Sequence, residues 1–253
     1  MGRIAFVLAA GLASGCTDGR VAAGDGGAPC APGGCPDLAL VADPDLGERG
    51  ACPPGSLGTE IVSLPPCALG DGPIDVPRGC TPVVDGTLHA EEWGDAACMR
   101  LSGDISVEIK HDAAAVYLAV AGPPTCDCAM PFYFDPDGQP VLDGDEYAVS
   151  VYDEPLKRDG DRADYVFRNG ALVAGAAPDG IVTRCPGSQP NPIRYEWRIP
   201  YTALGIAAGV PHQFHFAIVH ADVRWPGTLT VDAQGVALHP ADWATIRSSG
   251  NWQ

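Results

Sequence analysis

The sequence predicts an all-β protein: an antiparallel β-sandwich preceded by a disordered tether. Three observations carry that expectation. From Cys80 onward, short stretches alternate apolar and polar residues, which is the period of half-buried strands. Clusters such as "DPDG", "RNGA" and "RWPG" separate them, and these are turn chemistry. A 3.6-residue hydrophobic period is almost absent.

The chain opens with Arg3 and the run "IAFVLAAGLA". A positive residue before an apolar run too short to span a bilayer is the pattern of an export signal. The run ends in "LASGC", and Ser14 and Gly15 before Cys16 resemble a bacterial lipobox, with Ala13 where leucine is commoner. That resemblance implies cleavage before Cys16 and a lipid on Cys16. The chain is then exported across the inner membrane and anchored in the bacterial cell envelope. The plainer alternative is a cleaved signal with Cys16 as a bystander.

Residues 16–50 are rich in Gly, Ala, Asp and Pro without a hydrophobic period, and they read as a flexible tether. Residues 51–79 hold one candidate strand, "EIVSL", among prolines, and fit a linker or a small cap. Residues 80–253 form the sandwich. Its expected strands are "ISVEIKHD", "VYLAVAG", "PFYFD", "EYAVSVY", "DYVFRNG", "GIVTR", "RYEWRIP", "QFHFAIVHAD" and "WATIR". "PYTALG", Pro200 to Gly205, is the one expected helical turn, with Pro early and Gly after its end. Alternation assigns faces. Tyr195, Trp197 and Ile199 point to the core, and Arg194, Glu196 and Arg198 point to solvent or form a charged ladder. Phe214, Phe216 and Ile218 point inward and His215 outward.

With 253 residues, 46% of them hydrophobic, a sizeable core is available. Asp and Glu number 32 against 15 Lys and Arg, a net charge of −17. Such a surface repels nucleic-acid phosphates and anionic headgroups, which excludes nucleic-acid binding. Ten cysteines suit an exported, disulfide-linked chain. Local pairing is expected: Cys30 with Cys35, Cys52 with Cys67, Cys80 with Cys98. Cys126 or Cys128 then reaches Cys185, which leaves one thiol over. A zinc site would need paired C-x-x-C spacing, which these cysteines lack.

Four pieces in order carry a family resemblance: "VVDGTLHAEEWGDA", "IKHDAAAVYLAVAG", "YEWRIPYTALG" and "HPADWATI". Together, over about residues 80 to 250, they resemble family 9 carbohydrate-binding modules and their wider relatives. The resemblance implies a β-sandwich. Some relatives bind sugars, and some carry haem as subunits of redox enzymes. Asp85-Gly86 offers a tight turn with a positive-φ glycine. Trp93 is expected as a core plug rather than a sugar platform.

Sugar recognition needs an exposed flat aromatic with polar side chains beside it. Trp225, with Arg224 and Asp222, lies in a loop similar to one of two tryptophan clamps in sugar-binding relatives. The alternative is an aromatic packed on Pro226. The loop expected to carry the other clamp, "GPPTCDCAMP", has no tryptophan; Tyr152 with Asp153 is the substitute. Asp135, Asp137, Asp143 and Asp145 crowd one hairpin. They are a candidate Ca²⁺ site, although the spacing is not that of an EF-hand and no glutamate closes it; a polar turn is the alternative. No cofactor is required. Haem, by fold analogy, would need an axial pair such as Met130 with a histidine. No nucleophile elbow, zinc-protease motif or phosphate loop occurs. The sequence thus points to a non-catalytic module that binds a glycan at a loop end, or to an envelope scaffold without a small ligand.

Overall fold

The computed structural model describes residue 52 and residues 73–101, 105–122, 130–151, 162–184, 193–220 and 223–253. Cys16, Cys30, Cys35, Cys67, Cys126, Cys185, Tyr152, Asp153, Asp222 and the "EIVSL" stretch lie outside the described residues.

Two sheets face each other. One contains β2 (Ala97–Arg100), β3 (Ser106–His111), β4 (Ala115–Gly122), β9 (Val182–Arg184) and β10 (Ile193–Pro200). Its order is β2-β3-β4-β10-β9, all antiparallel. The other contains β1 (Ile74–Asp75), β5 (Met130–Asp135), β6 (Tyr147–Val151), β7 (Arg162–Arg168), β8 (Ala171–Ala174), β11 (Gln213–His220), β12 (Val223–Trp225) and β13 (Ala244–Arg247). Its order is β1-β13-β11-β5-β6-β7-β8, with β12 paired to β11. The β1–β13 pair is parallel and the rest are antiparallel. Each expected strand of the sandwich is present. The strands β1, β2, β8 and β12 add to that set; two to four residues carry too little alternation to detect. β1 also moves the start of the sandwich ahead of Cys80, since Ile74 and Val76 enter the core.

Between the sheets, Val116, Leu118 and Val120 of β4 and Trp197 of β10 meet Phe132, Phe134, Phe216 and Ile218. The Phe132 and Trp197 rings lie 4.4 Å apart. The 3₁₀ turn Tyr201–Leu204 follows β10 and ends at Gly205, whose φ of 65° is left-handed, as the Pro…Gly pattern anticipates.

Both outer faces are covered too. On the larger sheet, Tyr133, Phe167, Ala217 and Val219 pack under Leu229, Ala237 and Trp243. On the smaller sheet, Ala115, Tyr117, Ala119 and Ala121 pack under Leu88 and Trp93. Trp93, in the one-turn helix α1 (Ala90–Trp93), is therefore buried, but outside the sheet rather than between the sheets.

This lid overturns one expectation. Glu196, expected to face solvent or a charged ladder, is 0% exposed. One of its oxygens, Oε2, accepts the Asp85 N–H at 3.0 Å and the Gly86 N–H at 2.7 Å. The other, Oε1, accepts the Trp93 indole N–H at 3.2 Å. Gly86 has a φ of 92°, so this turn needs glycine. Burial pushes the Glu196 carboxyl up to about 8, against the pull of those three donors toward the charged form.

Asp112 does similar work at the β3–β4 turn. It accepts the Ala114 and Ala115 N–H groups and the hydroxyls of Thr81 and Tyr117. Burial raises its carboxyl, but these four donors outweigh burial and hold it below the usual carboxylate range. Glu196→Ala would leave three N–H donors facing an apolar lid. Urea unfolding should show a loss on the order of 3–5 kcal/mol; a loss below about 1 kcal/mol would mean that water replaces the carboxylate.

Candidate functional site

Strand register sets the two ends of the sandwich. At one end Gly122 pairs with Ile193, Met130 with Val151, Val151 with Arg162, and His220 with Val223. The strands β4, β6, β9 and β11 finish at this end, at Gly122, Val151, Arg184 and His220. Phe134 pairs with Tyr147 at the other end, where the acidic hairpin 136–146 lies.

Trp225 belongs to the core. It stands opposite Ile218 in the β11–β12 pair, is 2% exposed, and lies 5.9 Å from the Phe216 ring. The three-residue strand β12 alternates, so Trp225 turns inward and Arg224 outward, where it is exposed. Neither a sugar platform nor a loop aromatic resting on Pro226 describes this residue. The other four tryptophans, Trp93, Trp197, Trp243 and Trp252, are also at most 4% exposed. No tryptophan of this chain presents a face to a sugar.

At the hairpin end, the carboxylates of Asp135, Asp137 and Asp145 converge, with ligand atoms within 4.8 Å of one another. Asp143 and Asp145 converge likewise with Glu146. Glu146 is the member that the aspartate pattern does not include; it follows Asp145 directly in "DGDE" and supplies the missing glutamate. It is held by the Asp143 and Gly144 N–H groups at 2.8 and 2.9 Å. Asp135 is buried, accepts the Gly138 N–H at 3.0 Å, and lies 3.1 Å from His215 Nδ1. Burial, with the neighbouring Asp137, Asp143, Asp135 and Glu146, pushes the Asp145 carboxyl up to about 7. These oxygens are hard donors of the kind Ca²⁺ takes. An open groove of about 400 Å³ lies beside Asp145, between Tyr147, Val166, Pro178 and Asp179. Tyr147 is 1% exposed there and gives no stacking surface.

The remaining candidates separate. His212 Nε2 bonds to the Leu204 carbonyl at 2.8 Å while His215 faces Asp135, so these histidines do not converge. Met99 is in the core, and the Met130 side chain lies outside the described residues. Cys80 pairs with Cys52, so neither Cys52–Cys67 nor Cys80–Cys98 forms; Cys98 is in a different disulfide. The backbone explains the exchange, because the Cys52 N–H donates to the Thr81 carbonyl at 3.1 Å and lays Cys52 beside Cys80.

A third polar constellation lies under the Trp93 lid. Lys110 of β3 is 0% exposed, and its ammonium is 2.9 Å from Asp95 Oδ1, donates to the Glu92 carbonyl, and stands 5.3 Å from the Trp93 ring centre. Glu108, two residues away on the same face, is 2% exposed, and its Oε2 has no hydrogen-bond partner. Burial pushes the Glu108 carboxyl up to about 7, with Lys110 opposing and Asp95 adding to the shift.

No family model matches this chain, and no curated protein matches it. Among solved structures, it is similar to a family 9 carbohydrate-binding module from Caldicellulosiruptor kristjanssonii in complex with cellotriose. That likeness has 14% identity and a TM-score of 0.46, over 70% of this chain and 94% of that one. The same module in complex with glucose gives 14% identity and a TM-score of 0.41, over 70% and 96%. A protein from Bacteroides uniformis proposed to bind carbohydrate gives 12% identity and a TM-score of 0.49, over 70% and 99%.

Glu108 makes stability depend on pH in a defined direction. Its folded value of about 7 lies above the ordinary 4.5. The folded state therefore keeps a proton that the unfolded chain releases, and this stabilisation is lost as pH rises from about 4.5 through about 7. Glu108→Gln should leave stability nearly unchanged at pH 5 and raise it by up to about 3 kcal/mol at pH 8.5, read from denaturant melts at both values. An equal effect at both would refute the assignment.

Proposed function

We propose that this chain is a non-catalytic binding module, anchored in the bacterial cell envelope through a lipid on Cys16, that holds a glycan at the end of the sandwich where β4, β6, β9 and β11 finish. The observation that carries this reading is the strand register, which finishes β4, β6, β9 and β11 at one end. In sequence, Tyr152 and Asp153 follow β6 and Asp222 precedes β12, which carries the exposed Arg224.

Every tryptophan and phenylalanine of the sandwich is buried, and of its described tyrosines only Tyr165 is half-buried rather than buried. This supports Tyr152 as the ring that stacks on a sugar face, with Asp153, Asp222 and Arg224 as partners for hydroxyls. A glycan array, with cello-oligosaccharides in the panel, should show binding by the wild type. Tyr152→Ala should weaken it at least tenfold and Arg224→Ala by less. If the wild type binds nothing, the second reading holds: an envelope scaffold without a small ligand, which the burial of all five tryptophans favours.

At the opposite end we propose Ca²⁺ bound by Asp135, Asp137, Asp143, Asp145 and Glu146, as a structural ion that relieves the repulsion around Asp145. Millimolar CaCl₂ should raise the Tm by several degrees, and Asp145→Asn should abolish the shift. With no shift in the wild type, the cluster is a polar turn.

A further inference from the structure

The Cys52–Cys80 disulfide sits at an unusual place for a structural bond. Both cysteines are only half-buried. Lys110 is completely buried, yet its ammonium lies 3.4 Å from Cys80 Sγ and 3.8 Å from Cys52 Sγ. The two sulfurs are thus not equivalent: the cation rests closer to Cys80.

We propose that Cys52–Cys80 is a thiol-reducible latch in which Cys80 is the leaving sulfur and Lys110 receives the thiolate it becomes. An external dithiol supplies the electrons. Its thiolate attacks Cys52 Sγ, the Cys52–Cys80 bond breaks, and the electron pair leaves on Cys80 beside the Lys110 ammonium. The second thiol of the reductant, once deprotonated, then attacks the mixed disulfide, expels Cys52 as a thiolate, and departs as the oxidised cyclic disulfide. A leaving thiolate stabilised by a cation leaves faster.

Among the described residues, acidic groups also face this spot. Asp95 accepts the Cys80 N–H at 2.8 Å through Oδ2 and Lys110 through Oδ1. Its side chain is 40% exposed, so water screens it, whereas Lys110 has no access to water and touches the sulfur directly. Glu108 shares the Lys110 face of β3, and Glu92 offers its backbone carbonyl both to Lys110 and, at 3.9 Å, to a reduced Cys80 thiol.

The full chain is treated with dithiothreitol at pH 7.5, quenched by alkylation, and mapped by mass spectrometry. Cys52 and Cys80 should become labelled at least tenfold faster than Cys98. Lys110→Met should slow that labelling at least tenfold, while Lys110→Arg should keep it within a few-fold. In the reduced wild type, the pH profile of Cys80 alkylation should have its midpoint below the ordinary thiol value of about 8.5. Labelling of Cys52 and Cys80 no faster than Cys98, or a Lys110→Met protein with wild-type circular dichroism and wild-type rates, overturns the proposal. If Lys110→Met does not fold, the wild-type profile decides: a midpoint at or above about 8.5 overturns it.

Discussion

A single buried carboxyl group organises one half of this molecule. Glu196 comes from the middle of β10, yet it closes the Asp85–Gly86 turn and takes the indole N–H of Trp93, 103 residues away along the chain. Long-range closure of this kind holds two segments in one geometry, since each N–H would otherwise be buried without an acceptor. With Trp93 fixed over the smaller sheet, water cannot reach Lys110 or Glu108 beneath it. Lys110 must then find its partners inside, which it does in Asp95, the Glu92 carbonyl and the sulfurs of the disulfide. The burial of a charge and the seating of a tryptophan both follow from one glutamate.

The same closure marks the limit of what alternation can tell. Period two separates Phe214, Phe216 and Ile218 from His215 correctly, because one side of β11 packs between the sheets. It says nothing of what covers the other side. Ala217 and Val219 are buried as well, under the segment between β12 and β13. That segment and the lid at 84–96 are irregular chain, with no period to read. Alternation misplaces Glu196 for this reason. Trp225 is misplaced differently: the family resemblance puts it in a loop, but Arg224 and Trp225 of "RWPG" belong to β12 and pair with β11. The cysteine pairing fails differently. Sequence neighbours are the natural guess, but a backbone bond to Thr81 decides which cysteine lies beside Cys80.

Each of the four stretches that carry the family resemblance has a structural duty. Asp85, Gly86 and Trp93 meet Glu196. Asp112 ties Thr81, Tyr117 and the turn between β3 and β4. Trp243 packs on Tyr133 and Phe167, at 5.7 and 6.2 Å, to seal the larger sheet. Residues that hold a fold together recur wherever the fold does, whatever the ligand. Such motifs forecast architecture well and binding poorly. Information about a ligand has to reside elsewhere, in segments free to vary without breaking the sandwich.

The two ends of the sandwich meet that condition in different ways. The hairpin end is crowded with carboxylates whose mutual repulsion destabilises the turn unless a proton or a cation offsets it. Its residues are close together in sequence, so the cluster is legible from the aspartate spacing alone, apart from Glu146. At the opposite end, β4, β6 and β11, which are distant in sequence, finish beside the starts of β10, β5 and β12. Local sequence therefore favours finding ion sites over finding glycan sites: a cation takes ligands from one turn, whereas a sugar ring requires surfaces from several. The buried tryptophans sharpen the point, because the residue type most often sought as a sugar platform is here committed entirely to holding the sandwich closed.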